Sequence, residues 1–186
     1  MTTGVKVFKF AKMLYNLQIM KVTKAILPVA GRGTRVMPLT LHQPKAMIAV
    51  ADKPIVHYII DELVASGITE IILVLGPNQE VFKQYISYLQ QNHSWNKIKF
   101  SFAYQKEARG DGDAIYLARK FIKTGEPFAI SFCDDIFGSK KPPTKLLIDH
   151  FIKTGSPTIL LEKVPMESVG KYGVIKPGPK KIKKWK

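Results

Sequence analysis

The stretch Lys24–Lys45, KAILPVAGRGTRVMPLTLHQPK, contains a candidate first strand and the loop that leaves it. KAILPVA (24–30) is a short apolar run ended by Gly31, the pattern of a strand buried on both faces. In the loop two glycines flank Arg32, Arg35 follows, and Lys45 stands directly after Pro44. Glycines let backbone amides approach a phosphate with no Cβ in the way. Arginine presents a planar fork to phosphate oxygens, and lysine a compact point charge. By residue type alone, such a loop holds a phosphate, a nucleic-acid backbone or only water.

Outward from this stretch, short apolar runs alternate with helical patterns. DKPIVHYIIDELVASG (52–67) repeats apolar residues at helical spacing, with Asp52 as N-cap, Pro54 in the first turn and Gly67 at the end. Further strands are expected at 70–76, 97–105, 127–133 and 157–164, and helices at 79–90, 113–122 and 143–153. Apolar strands separated by helices imply one α/β domain with a mostly parallel sheet covered on both faces. In such a sheet, ligands collect beyond the carboxyl ends of the strands, at the point where the strand order reverses. A 3-2-1-4 order would place the loop after the first strand and the loop after the fourth in one cleft.

Composition narrows the function classes. The 186 residues carry 29 basic and 14 acidic side chains, a net charge of +15, which suggests an anionic ligand. Much of that excess lies at the ends. KPGPKKIKKWK supplies six lysines and the first 24 residues five more. No recognition helix or aromatic–basic stacking motif accompanies the charge, which argues against nucleic acid as a partner. One cysteine, Cys133, cannot close an internal disulfide, and the sequence has neither an apolar run of membrane-spanning length nor a convincing signal peptide. A cytoplasmic location without membrane attachment is the expectation. His42, His57, His93 and His150 show no metal-ligand spacing; His42 lies in the cationic loop, and the other three read as helix-surface or loop residues.

Two familiar phosphate loops are excluded. No G-x-x-x-x-G-K-[ST] string occurs, and the sixth position of a dinucleotide fingerprint begun at Gly31 is Val36, followed by Met37 and Pro38. The loop continues instead as an extended lid. Its pattern, G-x-G-T-R with a later P-K, resembles that of the sugar-phosphate nucleotidyltransferases. The likeness extends over about residues 24–180, through PVAGRGTRVMPLT, PKAMIAVADKPIVHYIIDELVASGITEIILV and KYGVI, and is strongest to the bacterial branch that uses UTP and glucose 1-phosphate.

The resemblance implies a three-layer α/β/α, Rossmann-like (GT-A-like) nucleotidyltransferase domain over 24–186, preceded by an extension over 1–23. It also implies Mg²⁺-dependent joining of a nucleoside triphosphate to a sugar 1-phosphate, with release of pyrophosphate. By the same likeness Ala30, Gly31, Gly33 and Thr34 contact the nucleotide, and Arg35 and Lys45 act on its phosphates. Gln105 and Gly110, in YQKEARGDGDA, would read the base; a glutamine amide can both donate and accept toward a pyrimidine edge. Asp134, in SFCDDIFG, would hold Mg²⁺, a hard cation suited to carboxylate oxygen, while Asp135 has a less definite role and could cap a turn. Gly173, in SVGKYGVIKP, would approach the hexose. Cys133, inside a strand, reads as a structural thiol.

The departures are specific. Ala46 stands where the uridylyltransferases carry an acid after the P-K lysine, and GDGDA replaces their GLGHA, so Asp111 and Asp113 bring negative charge close to the nucleotide. A helix N-terminus favours Asp, so part of this is capping. The family continues beyond the position of Lys186 with a sugar-contacting glutamate, a phosphate-contacting lysine and a helical or dimer-forming region. A C-terminally shortened chain is therefore expected. A nucleotide-binding remnant without turnover, a relative using dTTP or another sugar 1-phosphate, and a homo-oligomer all stay open.

Overall fold

The computed structural model describes residues 21–175 apart from Arg32, Asn78, His93, Lys140 and Tyr172. The N-terminal extension up to residue 20, the lysine-rich end from 176, Tyr172 of KYGVI and His93 therefore lie outside the described residues. The main sheet is built from β1 (Lys24–Pro28), β4 (Glu70–Leu75), β5 (Lys99–Tyr104) and β6 (Phe128–Ile130), all parallel, in the order β5-β4-β1-β6. Counting only these strands, the order is 3-2-1-4, as the alternation of strands and helices allowed. A small antiparallel hairpin, β2 (Ala49–Val50) with β3 (Lys53–Pro54), interrupts the first crossover.

The two-residue period of a strand sends successive side chains to opposite faces. On β1, Ala25 and Leu27 join a core built with α1 (Ile55–Ala65), α2 (Val81–Asn92) and α4 (Pro143–Thr154), through Ile60, Leu63, Phe82, Ile86 and Ile148. Ile26 faces the other way, into a smaller core with Ile72, Val74 and Ala103 of the sheet and Ala114 of α3 (Asp111–Leu117). Burial on both faces explains why the β1 and β4 sequences are continuous apolar runs, and it makes the domain a three-layer α/β/α sandwich.

Three expectations are corrected here. Residues 157–164 form no strand. Ile159 and Leu161 are exposed and no strand pairs with this segment among the described residues, so its apolar sequence has no ladder to join. Asp52 is not an N-cap: it sits in the β2–β3 turn beside Ala51 (φ 56°), and Pro54 occupies the cap position of α1. His57 is not on a helix surface but buried, with Nδ1 2.8 Å from the Tyr85 hydroxyl and Nε2 3.1 Å from Asp61 Oδ2. Trp95 donates its indole N–H to the other Asp61 oxygen at 2.9 Å, so this half-exposed acid of α1 ties the helix to the exit of α2. Gly67 does end α1, with φ 92° and its N–H bonded to the Val64 carbonyl.

Helix α4 follows the loop carrying Asp134 and has no side-chain cap of its own at Pro142. Glu62, on α1, supplies one from across the layer. Its carboxylate accepts the Thr144 N–H and the Thr144 hydroxyl, both at 2.9 Å, and also the Ser66 hydroxyl at 3.1 Å. An anion at a helix N-terminus also meets the positive end of the helix dipole. Glu62→Ala should therefore lower the unfolding free energy by about 1–3 kcal/mol in urea titration, with Glu62→Gln losing less. An unchanged midpoint in Glu62→Ala would show that this tie does not hold α4.

Candidate functional site

At the end of β1 the ladder is prolonged by one bond, Val29 N–H to the Val74 carbonyl at 3.0 Å, and the chain then opens at Ala30. Gly33 turns it back. This residue has φ 61°, and a Cβ on it would lie 2.7 Å from Thr40 Cγ2 and 2.9 Å from Lys45 Cβ. Its carbonyl accepts the Val36 N–H at 2.9 Å and the Thr40 hydroxyl at 3.0 Å. The loop is not an extended lid. It winds through three short 3-10 turns, Thr34–Val36, Leu39–Leu41 and Lys45–Met47, which bring the Lys45 stem against Gly33. Arg35 is exposed on the first turn and has no ion-pair partner among the described residues.

Beyond β6, Ser131 N–H bonds the Ile26 carbonyl at 3.1 Å, so the chain leaves the sheet beside β1. It then turns at Cys133 and Asp134. Lys45 Nζ meets Asp134 Oδ2 at 2.6 Å, joining the loops after the first and fourth main-sheet strands across the point where the order reverses. Burial pushes the Cys133 thiol up to about 11, the Asp134 charge adds to this, and Lys45 opposes it. The thiol is therefore neutral at physiological pH and unsuited to nucleophilic attack. The Asp135 carboxyl is also raised, first by burial and then by Asp134, with Lys45 again opposing.

The third wall comes from the exit of β5. Gln105 is buried, and its backbone N–H continues the ladder to the Leu75 carbonyl at 2.8 Å. Its side-chain Nε2 donates to Asp113 Oδ2 at 2.8 Å and to the Gly110 carbonyl at 3.1 Å. Gly110 has φ 94° and ψ 175°, a conformation open to glycine alone, and α3 starts immediately after it.

These loops enclose one cleft of about 390 Å³. Ala30, Gly31, Gly33, Thr34, Arg35, Lys45, Gln105, Gly110 and Asp134 all line it. Gly173 does not: it is exposed, and a Cβ on it would meet nothing within 4 Å among the described residues. His42 is exposed and outside the lining as well. Two supporting residues lie just outside this lining. Gln79, buried after β4, accepts the Gly76 N–H at 2.7 Å and donates to the Val29 carbonyl at 3.2 Å, stapling the exits of β1 and β4 together. Asp113, an added charge or a helix-end acid by sequence, lies in the first turn of α3 and accepts from Gln105. Among the described residues no three His, Cys, Asp or Glu side chains converge to cage a metal.

A family model described as nucleotidyl transferase matches residues 24–185. The chain belongs to the nucleotidyl transferase family. Within this family it is 37% identical over 174 residues to a UTP–glucose-1-phosphate uridylyltransferase of Bacillus subtilis, covering 84% of this chain and 59% of that one. A Staphylococcus saprophyticus enzyme of the same name is also 37% identical, with 60% of it covered. The fold superposes on a UDP-glucose pyrophosphorylase solved with UDP-glucose at a TM-score of 0.76, with 30% identity, covering 83% of this chain and 62% of that one. A UTP-bound counterpart from Acinetobacter baumannii gives 0.62 at 25% identity, covering 73% of this chain and 54% of that one. The chain thus spans about 60% of the length of the curated relatives it matches.

In this nucleotidyl transferase domain the two loop glycines are not equivalent. Gly31 has open space at its Cβ position and is not among the positive-φ glycines, whereas Gly33 is both strained and crowded for any side chain. Gly33→Ala should lose roughly 1–3 kcal/mol in chemical denaturation, and Gly31→Ala should be nearly neutral. Equal effects would contradict the role given to Gly33. At pH 8 the native Cys133 should react with iodoacetamide about a hundredfold more slowly than a free cysteine, and faster as the pH rises.

Proposed function

We propose that this domain transfers a uridylyl group from UTP to glucose 1-phosphate, giving UDP-glucose and pyrophosphate. The observation that carries the reading is the convergence of the cationic loop, Asp134 and the Gln105–Gly110 wall on one cleft at the reversal of the strand order. The names of the matched relatives, and the UTP and UDP-glucose bound in two structural neighbours, support the same substrates.

In this reading a phosphate oxygen of glucose 1-phosphate attacks the α-phosphorus of UTP. A new P–O bond forms there as the bond to the bridging oxygen breaks, and pyrophosphate leaves with that electron pair. A phosphate monoester, with its second pKa near ~6, is already largely dianionic at neutral pH, so the nucleophile needs no general base. Bringing anions together is the obstacle, and positioning and charge neutralisation meet it. Backbone groups of Ala30, Gly31 and Gly33 and the Thr34 hydroxyl hold the phosphates, Arg35 takes the departing pyrophosphate, and Lys45 sits at the α-phosphate. Gln105 and Gly110 hold the base, and Gly173 keeps the hexose-side role that the family likeness implies.

The donor set fits Mg²⁺ carried in on the triphosphate. Lys45 Nζ, 2.6 Å from Asp134 Oδ2, already marks a point where that carboxylate receives a cation. Mg²⁺ typically takes one or two carboxylates and completes its shell with phosphate and water, so Asp134 suffices without a protein cage. When bound it would supply further neutralisation of the phosphate charge. Among the described residues no helix is long and apolar enough to cross a membrane. The cytoplasm, with its nucleotide pool and reducing conditions for the single cysteine, is where we place the reaction.

Incubation of the chain with UTP, glucose 1-phosphate and Mg²⁺ should yield UDP-glucose and pyrophosphate, and chelation should stop it. Lys45→Ala should slow turnover by about 10²–10³-fold with the fold intact. An unchanged rate in that variant would remove the loop from the mechanism.

A further inference from the structure

The orientation of the Gln105 amide is settled by chemistry. Its terminal atom lies 2.8 Å from a carboxylate oxygen of Asp113 and 3.1 Å from the Gly110 carbonyl oxygen. Both neighbours only accept, so the atom between them is the NH₂ nitrogen; the reverse orientation would bring three oxygens together. An amide nitrogen has two N–H bonds, and both are occupied. What Gln105 has left for a ligand in the cleft is Oε1, an acceptor. The Gly110 carbonyl is likewise taken, by Gln105 and by the Ala114 N–H at 3.3 Å.

Asp113 sits in the first turn of α3, where the helix places its carboxylate beside Gln105. Gln105 is only 6% exposed, so an amide facing the wrong way would leave buried groups unpaired. The carboxylate therefore acts as more than a helix-end charge.

We propose that Asp113 is a positioning residue for base selection: it locks the Gln105 amide so that the cleft meets an acceptor only. This rests on the uridylyl-transfer reading above and extends it to a residue outside the nucleotide-binding set. Set against the ring nitrogen N3, such an acceptor pairs with a base that carries hydrogen there, the imide of uracil or thymine. Cytosine presents a lone pair at N3, and two acceptors would face each other. Without Asp113 the Gly110 carbonyl alone still accepts from Nε2, a weaker hold against the amide turning to offer Nε2 to cytosine N3.

The test is the ratio of UTP to CTP dissociation constants, measured by calorimetry with Mg²⁺ on the full chain and its variants. The unsubstituted chain should bind UTP at least about tenfold more tightly than CTP. Asp113→Glu keeps a carboxylate that only accepts and should keep that preference. Asp113→Ala should bring the two constants to within about threefold of each other. Asp113→Ser suits a helix first turn and has a hydroxyl that can also donate, so it should do the same even if the alanine variant folds poorly. A purely structural role would weaken both nucleotides together and leave the ratio alone. The proposal is overturned if Asp113→Ala and Asp113→Ser bind UTP with the original preference, or if the unsubstituted chain does not distinguish the two. Binding of neither nucleotide by the unsubstituted chain would instead overturn the uridylyl-transfer reading itself.

Discussion

The site depends on the placement of β1, hydrogen-bonded to β4 on one edge and β6 on the other and buried on both faces. A strand so enclosed cannot slide by one residue without sending Leu27 and Ile26 into each other's layers. Its carboxyl end is therefore a fixed point, and the chain must leave it into the cleft. Because β4 and β5 lie to one side and β6 to the other, the loops that leave β1 and β6 converge there. Gln79 adds a side-chain staple between β1 and β4 at the same level, which keeps the start of the glycine loop from drifting.

On that fixed point the electrostatics are arranged to be exchangeable. The Lys45 and Asp134 side chains are 29% and 52% exposed, so their ion pair is well hydrated despite its 2.6 Å length. A pair so placed contributes at most about 1 kcal/mol to stability. Exchanging it for contacts to a highly charged triphosphate and its cation is then a small step, because each partner goes from one opposite charge to another. A deeply buried pair would resist that exchange, since breaking it would strand two charges in a medium of low dielectric. Holding the two residues together in the free chain also keeps both oriented at the place where the proposed reaction would use them.

The layers, the parallel sheet and most of the cleft were legible in the sequence, because the signals behind them are local. Period and apolar runs mark β1 and β4, and a loop motif marks Gly31 to Lys45. What was missed depends on partners distant in the chain. The 157–164 run has strand composition, yet a strand also requires a neighbouring edge. Asp52 looks like a cap until the hairpin of β2 and β3 takes up its position. His57 fits a helix surface by spacing, and only the packing of α2 and Trp95 buries it. Part of Asp113 was hidden for the same reason: the sequence marks an added charge and a helix-end acid, and only the fold sets it beside Gln105. Gly173, placed by likeness alone, does not line the cleft that the other nine share.

The most direct measurement is a crystal structure of the chain with UTP and Mg²⁺. The expected result is that Lys45 and Asp134 have moved beyond ion-pair distance, roughly 4 Å. Lys45 Nζ should then lie on a phosphate oxygen, with the Asp134 carboxylate at the cation. A triphosphate bound elsewhere, with the Lys45–Asp134 pair intact, would contradict the exchange on which the proposed chemistry depends.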